Sequence, residues 1–533
     1  MFNSLILVII SLFIFGWGYF SYAKKLENLC EVNPKNEVPA VYKYDGIDYI
    51  PAKNWLVLFG HHFSSIAGAG PIIGPVIACL VWGWLPALLW IVLGSLFIGG
   101  VHDFCSVIIS VKEGATSIAD ISSKVISKKA KVIFSLFVFL ALILVIAVFA
   151  YLCADTFVKD NRIILPSLGL IPTAILVGLL LYRLKINSIL VTILGLSLLL
   201  FLVFLGNIFP ISLGRYSLAI WMVVLFLYCY FASVLPVNIL LQPRDYLCSF
   251  LLFFSMIIAL LGVMISHPYL KLEPFIKYNT EQGWLWPMLF VTIACGAISG
   301  FHTLIASGTT SKQLPNERFA KRIGYGGMLA EGLLAVLVVV AVASLNLDKN
   351  RLGNYLIQKG PIAIFSQGYD LITYNIFKGW GKFLAITALN AFILTTLDTA
   401  SRICRYIFEE LFIIKNRFIS TAIVLIISAG LAFSGQWNKI WPAFGASNQL
   451  VASFALLVIS AWLIKRKKKV RFTLPFGFFM FLTTLTALTL QAVRCFFQKD
   501  YLLLSICIVL VLLGGFMLVE FINNIYKSRG KQR

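Results

Sequence analysis

Long runs of apolar residues, separated by short polar connections, cover almost the whole chain. Each run is close to the ~20 residues that an α-helix needs to cross the hydrocarbon core of a bilayer. The longest connections are 23–54 and 346–382, and the second has room for a short interfacial helix. The pattern predicts an all-α polytopic membrane protein of about fifteen transmembrane helices, at approximately 2–22, 55–80, 84–111, 131–157, 163–182, 187–208, 216–237, 246–266, 285–309, 325–345, 383–410, 418–434, 440–464, 472–494 and 501–525.

Composition places the protein in lipid. Of the 533 residues 60% are hydrophobic and only 12% are charged, against about 25% charged in soluble proteins. The net charge of +22 is not a nucleic-acid signal, because Lys and Arg lie between the apolar segments rather than in patches interleaved with aromatic residues. The ten cysteines lie mostly in apolar runs and form no CxxC pair, so we interpret them as small buried hydrophobic residues. The expected partners are the lipid bilayer and a small-molecule substrate, and the oligomeric state stays open.

The basic residues also predict an orientation. If the 112–131 loop is cytoplasmic, 31 of the 44 Lys and Arg residues fall on the cytoplasmic side and 13 on the other. This bias follows the positive-inside rule. It places the N-terminus in the periplasm and the C-terminus in the cytoplasm, which requires an odd number of helices. The first segment lacks a basic region and a small-residue cleavage site, so we expect it to be retained as a helix.

The second apolar segment contains a dense cluster of helix-breaking residues. Prolines and glycines this close together make a continuous helix costly, and transporters bind substrate where helices are interrupted near the membrane midplane. The alternative is a kinked helix whose glycines allow close packing. The predicted substrate-binding residues of this break are Gly68, Ala69, Gly70, Pro71 and Gly74.

A second break is predicted over 236–243, where Pro236 and Pro243 flank the candidate substrate-binding residues Asn238 and Gln242. This segment lies five helices after the first break, and five helices invert the orientation of the chain. The spacing predicts a 5+5 inverted repeat. The expected organisation is an N-terminal helix and cytoplasmic loop over 1–54, a transport core over 55–410 and additional C-terminal helices over 411–533. Within the core, the repeats are expected at about 55–208 and 216–410.

The ninth segment carries a row of hydroxyl groups. Ser299, Thr303 and Ser307 are spaced by four residues, which aligns them on one helix face, and Thr310 follows. Hydroxyls and freed carbonyls would suit a carboxylate or a hard cation. We therefore assign Ser299 and Thr303 to substrate binding, and Ser307 and Thr310 to ion coupling. The alternative is that these hydroxyls donate to carbonyls of their own helix.

Ionisable residues inside apolar segments are functional candidates because they are costly there. Asp103, Glu331 and Asp398 are the predicted ion-coupling carboxylates, together with His302. Asp398 also begins a row with Arg402, Arg405 and Glu409 that is either an ion-pair ladder or the approach of the helix to the cytoplasm. Imidazole and carboxylate groups carry protons at physiological pH, and they also bind transition metals. The candidate metal ligands are His61, His62, Asp103 and His302, although adjacent His61 and His62 point to different helix faces.

Several motifs between about residues 33 and 465 resemble the carbon starvation protein A family. They are Asn33-Pro34, Val38-Pro39-Ala40, Gly60-His61-His62-Phe63, Ala67-Gly68-Ala69-Gly70-Pro71, Asp103-Phe104, Pro243-Arg244-Asp245-Tyr246, Ser299-Gly300-Phe301-His302, Ser307-Gly308-Thr309-Thr310, Thr395-Thr396-Leu397-Asp398 and 441–450. The resemblance implies a bacterial inner-membrane transporter of peptides or pyruvate, driven by a proton or cation gradient. It also implies a relation to the amino acid–polyamine–cation transporter superfamily, whose five-plus-five inverted repeat agrees with the spacing above.

These observations together predict a proton- or cation-coupled symporter that imports peptides or small carboxylates such as pyruvate by alternating access. We expect no enzymatic activity, since hydrolase motifs and glycine-rich phosphate loops are missing from the sequence. No cofactor is firmly implied. A coupling proton or sodium ion and a bound transition metal stay open, as do the alternatives of a metal-binding membrane protein and of a nutrient sensor without transport.

Overall fold

The computed structural model describes residues 3–46, 48–184, 186–236, 239–348, 351–414 and 416–530. The described residues form mostly long helices joined by irregular connections, with a one-turn helix at Pro39–Tyr42 and a small hairpin of β1 (Asn279–Thr280) and β2 (Gly283–Trp284). The helices are α1 (Ser4–Leu29), α2 (Trp55–Ile66), α3 (Gly70–Val81), α4 (Trp84–Lys112), α5 (Ile118–Val125), α6 (Lys128–Lys159), α7 (Asn161–Leu181), α8 (Ile189–Ile208), α9 (Ser217–Val234), α10 (Leu241–Ser266), α11 (Leu285–Gln313), α12 (Glu317–Ala343), α13 (Leu352–Phe377), α14 (Gly381–Phe412), α15 (Arg417–Phe433), α16 (Trp437–Lys465), α17 (Leu474–Phe497) and α18 (Tyr501–Asn524).

The membrane-spanning helices follow the predicted segments. Within the described residues, thirteen helices are each long and apolar enough to cross a membrane, and the bent pair α2–α3 makes a fourteenth span. Helix α15 has 17 residues and occupies the twelfth predicted segment. Every one of the fifteen predicted segments therefore corresponds to a helix or a bent helix pair. The all-α polytopic membrane fold is confirmed.

Helix α13 is longer than the short interfacial helix expected between 346 and 382. It has 26 residues and is kinked at Gly360, which adopts a φ of 73° just before Pro361. Its second half packs against α3, α10, α12 and α14. Hydropathy alone does not predict a helix of this length, because α13 mixes polar residues with the apolar residues that it buries.

The centre of the bundle is formed by long helices that pack on one another. Helices α6 and α14 have 32 residues each and lie along each other. The apolar windows of α11, α14 and α16 are 94% buried, whereas those of α1, α8 and α18 are 28% buried. The latter three therefore face lipid, and polar residues on the central helices are shielded from both lipid and water.

Helices α3 and α11 approach each other through glycine. A Cβ atom placed on Gly74 would lie 2.5 Å from the carbonyl oxygen of Thr292 and 2.8 Å from the Cα of Ile293. Both obstacles are backbone atoms, which cannot rotate away. Gly70 meets the side chain of Cys295 in the same interface. The glycines predicted to bind substrate thus also allow close helix packing, as the alternative interpretation of this segment proposed.

Replacing Gly74 with alanine is expected to lower the free energy of unfolding by about 1–3 kcal/mol, because the added methyl group overpacks the α3–α11 interface. Gly430→Ala is the matched control, since Gly430 is exposed in α15 and nothing lies within 4 Å of its added Cβ. Thermal unfolding of the purified protein in detergent measures both effects. Equal stability of the two variants would contradict the packing role of Gly74.

Candidate functional site

The first helix break lies where the sequence placed it. Helix α2 ends at Ile66, Ala67 has a non-helical ψ of 74°, and α3 begins at Gly70 with a bend of 44°. Proline explains the position, because the ring of Pro71 lacks an N–H and clashes with the carbonyl four residues earlier, which belongs to Ala67. The carbonyls of Ser64 and Ser65 lose helical partners and instead accept hydrogen bonds from Thr395 Oγ1 (2.8 Å) and Thr396 Oγ1 (3.2 Å) of α14.

A second break interrupts α11 between Ala294 and Ser299. Ala294 has a positive φ of 39°, Ser299 is extended, and the helix resumes at Gly300. The amide of Asn448 in α16 holds the gap: its Oδ1 accepts from the backbone N–H of Phe301 (2.8 Å), and its Nδ2 donates to Ser299 Oγ (2.9 Å). Since Gly70 faces Cys295 across the helix interface, the two breaks lie side by side in the buried centre.

The predicted break over 236–243 is wrong in position. Helices α9 and α10 are both complete spans, and the segment between them is a connection rather than an interruption at the midplane. Gln242 and Pro243 lie in the first turn of α10, where Gln242 Nε2 donates to Gln313 Oε1 (2.6 Å). Asn238 lies outside the described residues. Proline in this segment ends one helix and starts the next, which sequence spacing alone could not distinguish from a broken span.

A buried chain of titratable groups connects three helices beside the two breaks. His302 Nδ1 of α11 lies 2.7 Å from Asp103 Oδ2 of α4, and His302 Nε2 lies 3.1 Å from Glu331 Oε2 of α12. The neighbouring His102 Nδ1 lies 2.7 Å from the other oxygen, Asp103 Oδ1. All four side chains are fully buried. We call this set the histidine chain: Glu331, His302, Asp103 and His102.

The predicted hydroxyl row is only partly formed. Ser299 precedes the helix and bonds to Asn448, so it does not share a face with Thr303. Thr303 contacts Ser106 of α4, whereas Ser307 Oγ donates to the carbonyl of Thr303 (2.7 Å), as the structural alternative proposed. Thr310 Oγ1 lies 2.8 Å from Nδ1 of His62. Thr303 and Thr310 therefore face the neighbouring helices α4 and α2, whereas Ser307 bonds within its own helix.

A second charged group lies across α2 from the histidine chain. Arg244 at the start of α10 donates to Asp245 Oδ1 (2.7 Å) and to Asp398 Oδ1 (2.9 Å), and it also contacts Tyr228 of α9. Asp245 Oδ2 lies 2.8 Å from Nδ1 of His61. We call Arg244, Asp245, Asp398 and Tyr228 the arginine cluster; all four are buried. Only Asp398 was predicted as a site residue, because the Arg244–Asp245 pair stands at the edge of an apolar run and resembles a cytoplasmic loop charge.

The candidate metal ligands do not form one site. His61 contacts Asp245 and His62 contacts Thr310, so the two rings point to different neighbours, as expected from their adjacency. His302 and Asp103 belong to the histidine chain. In the part of the chain that the structure describes, no group of three or more His, Cys, Asp and Glu side chains is placed to hold a metal ion.

The row of charges that follows Asp398 along α14 serves separate contacts. Arg402 donates to the carbonyl of Ala232 (2.6 Å) and also contacts the carbonyl of Leu235, so it caps the end of α9. Arg405 and Glu409 form an ion pair at 3.8 Å on their own helix. The row is therefore not a continuous ladder, and only Asp398 joins a cluster of charges.

A small apolar cavity lies near the first break, with Ile72 of α3 in its lining. It is lined by Ile72, Ser255, Met256, Ala259, Leu334, Leu337, Val338, Phe365, Tyr369, Ala385, Ala388 and Phe392. Leu334 is one helical turn after Glu331, so the histidine chain lies just beneath the cavity. Phe365 and Tyr369 of α13 cover it, and the Tyr369 hydroxyl donates to the carbonyl of Ser255 (2.7 Å).

Comparison with known proteins gives consistent results. The sequence profile described as carbon starvation protein CstA matches residues 3–356 and 350–487. The peptide transporter CstA of Campylobacter jejuni is 30% identical over 551 residues, covering 87% of this chain and 77% of the relative. The pyruvate/proton symporter BtsT of Escherichia coli is 28% identical over 557 residues, covering 86% of this chain and 77% of the relative.

Solved structures share the fold at much lower identity. A crystal structure of a mutant manganese transporter of Eremococcus coleocola matches with a TM-score of 0.57 and 13% identity, covering 91% of this chain and 99% of the other. At this identity the likeness concerns the fold alone.

Replacing Asn448 with alanine is expected to lower the free energy of unfolding by about 1–3 kcal/mol, because the N–H of Phe301 would then be buried without an acceptor. Asn375→Ala is the control, since Asn375 is exposed at the end of α13. Thermal unfolding in detergent compares the two variants. If Asn448→Ala unfolds like the control, the amide does not hold the second break.

Proposed function

The chain belongs to the carbon starvation protein CstA family, and on that premise we propose that it is a proton-coupled symporter that imports peptides or small carboxylates across the bacterial inner membrane. The observation that carries the proposal is the buried Glu331–His302–Asp103 chain beside two facing helix breaks. Ionisable groups at this depth are costly and are retained where they move charge.

The helix breaks support an anionic cargo. Helix α3 begins at the first break, and the second part of α11 begins at the second break. The N-terminus of a helix carries partial positive charge and unpaired N–H groups. Two N-termini that meet near the breaks would attract a carboxylate, which peptides and pyruvate share. Gly68, Ala69, Gly70, Pro71 and Ser299 remain the proposed binding residues on this basis.

The order of elements supports an inverted repeat in a different register from the expected one. The bent pair α2–α3 is followed by a long helix, a shorter helix and the 32-residue α6. Broken α11 is followed in the same way by α12, α13 and the 32-residue α14. Helices α9 and α15 then each pack on both α6 and α14. We therefore place the second repeat at α11, with α7–α8 as a hairpin inserted into the first.

The histidine chain supports a proton as the coupling ion. Asp103 and Glu331 are both acids, and the single imidazole of His302 lies between them with one ring nitrogen toward each. An imidazole in this position can accept a proton on one nitrogen and release one from the other. The name of the Escherichia coli relative, a pyruvate/proton symporter, agrees with this choice over sodium.

The small apolar cavity near the first break supports alternating access. It would lie on the periplasmic side if the N-terminus is periplasmic and the C-terminus cytoplasmic, as the distribution of Lys and Arg favours. Cargo would then approach beneath α13, reach the breaks and leave past the two charged clusters. A transporter accounts for these features without a metal, and the homologues carry transporter names.

Glu331→Gln is expected to lower proton-driven accumulation of labelled pyruvate or dialanine in proteoliposomes at least tenfold, because the amide cannot carry a proton. Exchange of labelled for unlabelled cargo should persist, since exchange needs no net proton movement. Uptake is measured with an imposed proton gradient and, separately, a sodium gradient.

Glu37→Gln, which neutralises an exposed carboxylate of the 23–54 connection, serves as the control and should accumulate cargo normally. Full accumulation by Glu331→Gln, or accumulation driven by sodium alone, would contradict the proposed coupling.

A further inference from the structure

The arginine cluster has no role in the proton transfer proposed for the histidine chain. Its guanidinium is completely buried and is shared between two carboxylates and a phenol. Among the described residues, the Nε of Arg244 has no hydrogen-bond partner. A buried arginine needs acceptors for all its donors, so this side chain retains capacity to bind a further acceptor.

The two carboxylates that pair with Arg244 are held differently. Asp245 is anchored by His61 (2.8 Å) and by Ser65 Oγ (3.2 Å), and it neighbours Arg244 in the chain. Asp398 is held outside the Arg244 pair by the Tyr228 hydroxyl, at 2.8 Å. Asp398 accepts from both Nη atoms of Arg244, whereas Asp245 accepts from one. Asp398 therefore occupies the two-donor position that suits a carboxylate, and it has fewer contacts outside the guanidinium than Asp245.

The cluster lies next to the first helix break. Asp398 is two residues from Thr396, whose hydroxyl donates to the carbonyl of Ser65 and would lie 2.9 Å from a Cβ on Gly68. Ser64 Oγ donates to the carbonyl of Asp245 (2.8 Å). Cargo that moves from the break toward the cytoplasm would thus meet Arg244 within about one helical turn.

We propose that Arg244 binds the carboxylate of the cargo, which takes the place of Asp398 on the guanidinium. The inference rests on the proposed function and names the group that the site recognises: a monoanionic carboxylate, which is the C-terminus of a peptide or the acid group of pyruvate. The planar guanidinium suits this role because it can donate two parallel hydrogen bonds to one carboxylate.

Charge balance then requires a proton. The cluster has one positive and two negative groups, so an added carboxylate would leave two uncompensated negative charges in a buried site. Displaced Asp398 faces no other cation in the described residues, since Arg402 of its own helix is bonded to carbonyls of α9. The titratable and charged groups around it are Tyr228 and Cys229 of α9, Cys153 of α6, Arg244, Asp245 and Cys248 of α10 and, through Asp245, His61 of α2.

Asp398 therefore takes up a proton as the cargo carboxylate binds. Carboxylate affinity must rise as the pH falls, because binding and proton uptake are linked at this site. This proton offsets the charge of the cargo, whereas the histidine chain carries the proton that couples transport to the gradient.

The test compares acids with their amides, because an amide has the same shape without the charge. Binding of labelled pyruvate and dialanine to the purified protein in nanodiscs is competed with pyruvamide and with dialanine amide. The unmodified protein should favour acid over amide roughly ten- to hundredfold, as a charge-assisted hydrogen-bonded pair implies. This preference should increase at lower pH.

Three variants of the cluster have distinct expected results. Arg244→Gln should lose the preference for acid, and Arg244→Lys should keep part of it, since the charge stays and the paired donors are lost. Asp398→Asn should bind the acid at least as well as the unmodified protein, and independently of pH, because the competing carboxylate is gone. Arg405→Gln is the matched control: it removes a largely buried arginine from α14 at a distance from Asp398 and should keep both the preference and the pH dependence.

The proposal is overturned if Arg244→Lys and Arg244→Gln keep the full preference for acid, or if Asp398→Asn binds the acid more weakly while retaining its pH dependence. If both arginine variants fail to fold, the Asp398→Asn result decides alone. A different result would show that the proposed function fails. In that case Glu331→Gln would accumulate cargo normally, and the acid preference of the arginine cluster would not affect this outcome.

Discussion

The way the helices pack depends on the free-energy cost of burying ionisable side chains away from water. At least seven ionisable side chains lie completely buried among apolar helices, where an unpaired charge is costly. The buried acids lie in two clusters on opposite sides of α2. Each acid there contacts an arginine or a histidine, which offsets the cost of burying its charge. On this helix His61 contacts Asp245 of the arginine cluster, and His62 contacts Thr310 of α11, the helix that carries His302. Movement of α2 would therefore change its contacts with α10 and with α11 at once.

The backbone imposes the second constraint. Inside a bilayer every freed N–H and carbonyl needs a partner, so the two breaks can exist only where neighbouring helices supply one. Thr395 and Thr396 supply hydroxyls to the first break, and Asn448 supplies an amide to the second. These partners come from α14 and α16, which are among the most buried helices. The rigid central helices thus hold the interrupted ones in place.

Much of this arrangement is readable from sequence. Hydropathy predicts every spanning segment, and Pro71 with its neighbouring glycines locates the first break to within a few residues. Asp103, His302 and Glu331 stand out because each is an ionisable residue inside an apolar run. What the sequence does not reveal is which helices meet. The Glu331–His302 contact joins residues of consecutive helices, and the Arg244–Asp398 pair joins residues 154 positions apart.

The differences between the sequence predictions and the structure have physical causes as well. Pro236 and Pro243 have the composition of a broken helix but lie in a connection between two spans. The second true break contains no proline at its centre, and it is stabilised by Asn448, which lies 147 residues away from its partner Phe301. A break that depends on a distant side chain leaves little local signal. The inverted repeat that we propose differs in register from the expected one, because the sequence expectation placed the second half at the proline-rich segment.

Proton movement recorded with the unmodified protein tests proton symport without any substitution. Pyruvate or dialanine is added outside proteoliposomes that have equal pH on both sides and contain a pH-sensitive dye. Proton symport predicts acidification of the interior in step with cargo uptake, with or without sodium. Cargo uptake without acidification, or only in the presence of sodium, would contradict it.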